Sequence, residues 1–107
     1  MRRGEVWTAA ASSGYGSKPR PVIIVQAEGI KAYDSVVLCL LTSYDSAGLP
    51  FRVKVEPDKA NGLAKASWAM ADKIIAMPKD SLAERIGIID EGTMDAISKE
   101  LARLLGL

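Results

Sequence analysis

The sequence predicts an α+β, mainly β fold: a small antiparallel barrel with a single amphipathic helix packed on it at the C-terminal end. Three observations carry that prediction. The chain holds a series of short runs with strand-like composition, and their spacing is too tight for βαβ crossovers. The hydrophobic pattern stays strand-like, alternating or uniformly apolar, through most of the 107 residues. Only after residue 89 does it switch to spacings of three and four. A chain of this length suits one domain, 1–107, with one modest core.

The elements follow in order. Glu5–Ala9 opens after Gly4 with Val6, Trp7 and Thr8, residue types that favour strands. Ala10–Lys18 reads as a polar, glycine-containing loop around Tyr15. Arg20–Gln26 is the next strand, entered through SKPRPVIIVQ. Pro19 and Pro21 each hold φ near −65° and push the preceding residue toward extended backbone, so Arg20 enters the core with little freedom. Ala27–Asp34 reads as an irregular connection or a short helical turn. Ser35–Thr42, SVVLCLLT, is the most apolar stretch and the expected central buried strand. Hydroxyls emerge at its end in Thr42 and Ser43, before the turn-rich YDSAGLP.

Phe51, Val53 and Val55 then alternate with Arg52, Lys54 and Glu56, as a half-exposed strand would. Pro57–Gly62 supplies a turn through Asn61-Gly62. Lys65–Ala71 returns as a strand, with Asp72 just beyond it. Ile74–Met77 is expected as a further short strand ended by Pro78, Asp80–Glu84 as a helical turn, and Arg85–Ile89 as another strand. Met94, Ile97, Leu101, Leu104 and Leu105 mark the apolar stripe of the terminal helix. Asp90 suits its N-cap and Gly106 its left-handed stop.

Composition removes several function classes. The chain contains no histidine, which excludes Ser-His-Asp and Cys-His catalysis and deprives a zinc site of a usual ligand. Neither a Walker A loop nor a dinucleotide fingerprint is present. The single cysteine, Cys39, lies in an apolar run and reads as an inert buried thiol. No apolar run approaches membrane-spanning length, and no apolar segment follows Arg2 and Arg3, so the expected setting is soluble and cytoplasmic. Net charge is +1. Residues 1–31 carry five bases against two acids, a small surplus that favours a polyanion.

Arg20 offers a guanidinium fork suited to phosphate oxygens, held at the rim of a rigid strand. Taken alone, it reads at least as well as an ordinary surface arginine at a strand start. Thr42 has a similar alternative as a β-former at a strand end, and Asp72 as a carboxylate capping a turn or pairing with Lys73. Tyr15, in the first loop, could stack on a base. Trp7 and Trp68 suit core and interface.

Read together, these residues resemble the MazF/PemK family of toxin endoribonucleases. The resemblance rests on the opening RRGEVW, a glycine-rich loop, RPVIIVQ, an apolar strand ending in LLTS, the NG turn, a strand reaching ADKI and the terminal helix. It implies an SH3-like barrel of the CcdB/PemK type in a homodimer, and a toxin of a toxin–antitoxin system that cleaves single-stranded RNA without metal or cofactor. The family's catalytic arginine falls on Arg20, its catalytic threonine on Thr42, and an acidic residue near the site on Asp72. Ser17, Lys18 and Ser43 become phosphate or backbone contacts beside Tyr15.

The resemblance further implies an acidic cognate antitoxin lying across the same groove. Two departures stand out. Ile75 occupies the position of an arginine found in many members, and the histidine some carry in the first loop is missing. Competing expectations on the same fold are a CcdB-like gyrase poison and a catalytically decayed binding or regulatory member. The C-terminal ARLLGL lacks the tryptophan-containing tail that a gyrase poison usually carries.

Overall fold

A computed structural model of the chain describes residues 1–10, 19–30 and 34–107. Six strands form one antiparallel sheet: β1 (Glu5–Ala9), β2 (Arg20–Ile24), β3 (Ser35–Thr42), β4 (Arg52–Val55), β5 (Ser67–Pro78) and β6 (Leu82–Ile88). Their order across the sheet is β4-β5-β3-β2-β1-β6. A 3₁₀ turn, Lys79–Ser81, joins β5 to β6, and α1 (Glu91–Leu105) ends the fold. The expected loop at Ala10–Lys18 falls almost wholly outside the described residues, as does part of the Ala27–Asp34 connection.

The continuous apolar runs are explained by burial on both faces. Along β3, Val37, Cys39 and Leu41 join one cluster with Val6, Ile23, Val25 and the helix residues Met94 and Ile97. Val36, Leu38 and Leu40 point the other way, into a second cluster with Val22, Ile24, Ala9, Trp7 and Leu82. Period-two geometry assigns alternate residues of one apolar string to two cores, which is why the sequence shows no polar alternation there. Cys39 is fully buried, and that burial pushes its thiol up to about 12. It is inert as expected.

The ladder does not close between the edge strands β4 and β6. The turn between β4 and β5 bridges them instead, with Ile88 N donating to Ala60 O at 2.8 Å. That turn is internally bonded. Asn61, buried, accepts from Asp58 N and Leu63 N at 3.1 and 3.0 Å and donates to Glu56 O at 2.8 Å. Two glycines permit the crossing: a Cβ at Gly62 would overlap Ile86 O, and one at Gly87 would overlap Ala60 O. The outcome is a barrel-like sheet sealed by a loop.

Expected and observed elements differ at three places. The two strands expected at Lys65–Ala71 and Ile74–Met77 are one bent strand. Cys39 pairs with Ile74 but Leu40 pairs with Met70, so Ala71, Asp72 and Lys73 bulge out of the ladder. The helical turn expected at Asp80–Glu84 lies at Lys79–Ser81, and β6 starts earlier than Arg85. Leu104 and Leu105, expected on the buried stripe of α1, are exposed because the core ends at Leu101. The helix ends are as expected. Asp90 Oδ2 accepts from Thr93 N at 3.0 Å, and Gly106 takes φ 72°.

Candidate functional site

Register brings the site together. β2 and β3 pair Val22 with Leu40, Ile23 with Cys39 and Ile24 with Leu38. Carried two residues further, the same register sets Arg20 across from Thr42. The start of one antiparallel strand thus meets the end of the next. The β3–β5 register sets Thr42 beside Trp68, so the start of β5 arrives at the same end of the sheet.

A cavity of about 430 Å³ opens there, lined by Arg20, Thr42, Ser43, Lys65 and Ser67, with Pro19, Pro21, Leu41, Leu63 and Ala64 completing it. Leu41 and Leu63 belong to the inner cluster and give the site a rigid apolar floor. Arg20 is exposed and forms no ion pair among the described residues. Thr42 Oγ1 accepts a hydrogen bond from Tyr44 N at 3.1 Å, leaving its own proton free to donate. Ser67 Oγ donates to Lys65 O at 3.0 Å and steadies the backbone that carries the Lys65 ammonium. Two cations and the Thr42 and Ser43 hydroxyls converge on one concave surface, a set of donors matched to phosphodiester oxygens.

Asp72 stands apart from this cavity. It projects from the β5 bulge, where Arg52 holds both carboxylate oxygens, Nε to Oδ1 at 2.9 Å and Nη2 to Oδ2 at 3.2 Å. The hydrogen bond from Arg52 holds its carboxyl below the usual range. Arg20, Thr42 and Ser43 therefore share the cavity and Asp72 does not. Tyr15, Ser17 and Lys18 lie outside the described residues.

Sequence reasoning passed over Lys65, Ser67 and Arg52. Lys65 and Ser67 sit in a stretch with ordinary strand-start composition. Arg52 occupied the polar side of an alternating strand, so it read as solvated, whereas its side chain is 13% exposed. Of the five bases in the N-terminal third, Arg2 and Arg3 are engaged structurally. Arg3 donates to Val25 O and to Ser98 Oγ, tying the N-terminus to α1, and Arg2 pairs with Glu28 at 3.6 Å.

A six-stranded barrel-like sheet with one packed helix and a cationic, hydroxyl-lined cavity at its strand ends defines a compact β-domain suited to a polyanion. Residues 2–105 match the family described as PemK-like, MazF-like toxin of type II toxin-antitoxin system, and the chain belongs to that family.

A probable endoribonuclease MazF from Mycolicibacterium smegmatis is 38% identical over 107 residues, covering 100% of this chain and 98% of that protein. Endoribonuclease EndoA from Bacillus subtilis is 26% identical over 112 residues, covering 100% of this chain and 96% of its own length. Among solved structures, a mycobacterial endoribonuclease in complex with its cognate antitoxin is 30% identical, with a TM-score of 0.82. The match covers 100% of this chain and 96% of that one. These relatives place the chain in a class of toxin enzymes that act as endoribonucleases.

Proposed function

We propose that this protein is a sequence-specific, metal-independent endoribonuclease toxin that cleaves single-stranded messenger RNA and thereby arrests translation and growth. The observation that carries the reading is the cavity shared by Arg20, Thr42, Ser43 and Lys65. The reaction is transesterification by the RNA's own 2′-hydroxyl. The 2′-oxygen attacks the adjacent phosphorus, the bond from phosphorus to the 5′-oxygen breaks, and the products are a 2′,3′-cyclic phosphate and a 5′-hydroxyl. The proton lost from the 2′-oxygen passes to water, and water returns one to the leaving 5′-oxygen.

Such a reaction needs no protein nucleophile. It needs in-line positioning and stabilisation of the charge that builds on the phosphorane. Arg20 supplies a permanent cation with a fork of donors. Thr42 donates to a non-bridging oxygen and helps orient the 2′-hydroxyl. Ser43, Tyr15, Ser17 and Lys18 contact the RNA beside the reacting phosphate, and Lys65 neutralises the neighbouring one. Asp72 has no part in proton transfer in this reading, because Arg52 binds both of its oxygens and lowers its basicity. A single-stranded substrate follows from the in-line requirement, since an A-form helix holds the 2′-hydroxyl out of line.

A cognate acidic antitoxin fits the same cavity, because a disordered acidic segment can imitate the polyanion and fold on binding. The antitoxin complex of the 30% identical mycobacterial relative supports this partner. A homodimer is supported by the second apolar cluster, where Trp7, Leu40 and Met77 are only partly buried. Ile75, in register with Leu38 and 40% exposed, extends that surface.

The test is cleavage of a long, weakly structured RNA in EDTA, with the new ends mapped. Wild type should cut at a recurrent short motif and leave 5′-hydroxyl ends. Arg20→Ala should lose about 10²–10³-fold in rate, and Thr42→Ala at least tenfold, as expected when a donor to developing charge is removed. Equal cutting by all three proteins would defeat the assignment. Absence of cutting by folded wild type would favour gyrase poisoning or a decayed site.

A further inference from the structure

Away from the cavity, one hydrogen-bonded chain of residues leads from the β5 bulge to the Thr42 hydroxyl. The Arg52 guanidinium grips Asp72 through Nε and Nη2, and its Nη1 donates to Ser46 Oγ at 3.1 Å. Ser46, 1% exposed, donates from the same Oγ to Tyr44 O at 3.0 Å. Tyr44 N then donates to Thr42 Oγ1 at 3.1 Å. Every link has a donor facing an acceptor, so the relay runs Asp72–Arg52–Ser46–Tyr44–Thr42 without an unsatisfied member.

The point from which Arg52 departs is itself held. Phe51, immediately before it, takes φ 64°, a backbone region that bulky residues rarely adopt. Phe51 O accepts from Ala71 N at 2.9 Å, and the Arg103 guanidinium covers its ring at 5.3 Å. A strained conformation fixed from the bulge and from α1 turns Arg52 inward rather than toward solvent.

We propose that Arg52 is a positioning residue for RNA cleavage. Anchored on Asp72, it pins the 43–51 loop through Ser46, and that loop fixes the Thr42 hydroxyl with its proton aimed at the substrate phosphate. The inference rests on the ribonuclease reading above and adds a role to residues outside the cavity. A lysine at 52 keeps the charge facing Asp72 but loses the planar fork that reaches Asp72 and Ser46 together. The catalytic consequence is a loss of orientation, which lowers kcat while leaving ground-state binding of RNA in place.

The experiment measures kcat and KM on a short single-stranded RNA carrying the motif mapped for the wild type. Ser46→Ala, Arg52→Lys, their double variant and Lys54→Ala are compared, with amide exchange at Tyr44 followed in each. Lys54 lies on the same strand but pairs with Glu56 at the surface, and serves as the control. Ser46→Ala and Arg52→Lys should each lower kcat on the order of ten- to a hundredfold, with KM within about twofold. The double variant should lose no more than the worse single, because both break one relay.

Tyr44 exchange should quicken in both single variants and stay unchanged in Lys54→Ala. If Ser46→Ala does not fold, Arg52→Lys carries the comparison through the same two readouts. Wild-type kcat in Arg52→Lys, additive losses, or a change confined to KM would overturn the proposal while leaving the ribonuclease reading intact. A wild type that cuts no RNA would overturn both.

Discussion

Arg20 and Thr42 lie 22 positions apart in sequence and share a cavity because one opens β2 and the other closes β3, its antiparallel neighbour. Lys65 reaches the same cavity from the segment before β5. Two cations there make a definite electrostatic prediction. Each phosphate contact on a single strand contributes about 0.7 to the slope of log K against log salt. Arg20 and Lys65 alone therefore give a slope near −1.4, and Lys65→Ala should reduce its magnitude by about 0.7. Binding of a short RNA carrying a 2′-deoxy nucleotide at the cut site, which the 2′-hydroxyl mechanism cannot cleave, measures this across a salt series. An unchanged slope would remove Lys65 from the interface.

At the scale of elements, the seal between β4 and β6 depends on backbone proximity rather than side-chain packing. Gly62, at φ 69°, and Gly87 face backbone atoms that cannot move aside. Gly62→Ala and Gly87→Ala should each cost on the order of 3 kcal/mol or more, read from urea midpoints, or yield no folded protein. Gly106→Ala is the contrasting case. Nothing lies within 4 Å of its Cβ position, so only the left-handed conformation at φ 72° opposes the change, and about 1 kcal/mol is expected.

The glycine pattern was visible in the sequence as Asn61-Gly62, a turn. That the turn reaches β6 was not, since Gly87 stands some 25 positions away within an apolar run. The β5 bulge was hidden for a related reason. Ala71-Asp72-Lys73 interrupts the apolar pattern, which locally looks the same as a gap between two strands. Only the partner strand reveals a continuous ladder with three extra residues.

Across the whole molecule, three carboxylates respond to pH together. Burial acts to raise the Glu5 carboxyl, but hydrogen bonds from the Trp7 indole, Arg2 N and Arg85 outweigh it, and the net shift is downward. Hydrogen bonds from Arg52 and from Thr93 likewise lower Asp72 and Asp90. A carboxyl lowered in the folded state binds fewer protons there than when unfolded. Stability is therefore full above the unfolded values, near 4, and is lost as pH falls through the lowered ones. Urea midpoints should hold from neutral pH to about 5 and fall steadily below 4, and Glu5→Gln should flatten that fall. A midpoint independent of pH down to 2 would contradict the shifts.

What the sequence by itself determined is most of what local rules carry. Strand runs follow from composition and period, the helix from its stripe, and its ends from Asp90 and Gly106, because propensity, capping and turn geometry act over a few residues. Ordered motifs along the chain also pointed to its family and to Arg20 and Thr42. The tertiary structure alone decided what depends on partners far along the chain. It divided the apolar residues of β3 between two cores, carried Asp72 out of the cavity on a bulge, and drew Lys65 into it. It also turned Arg52 inward to a half-buried position, where its charge finds a carboxylate 20 residues away. A lone charged residue on an alternating strand has the same local signature whether it faces water or an ion-pair partner. The difference lies in which strand folds beside it.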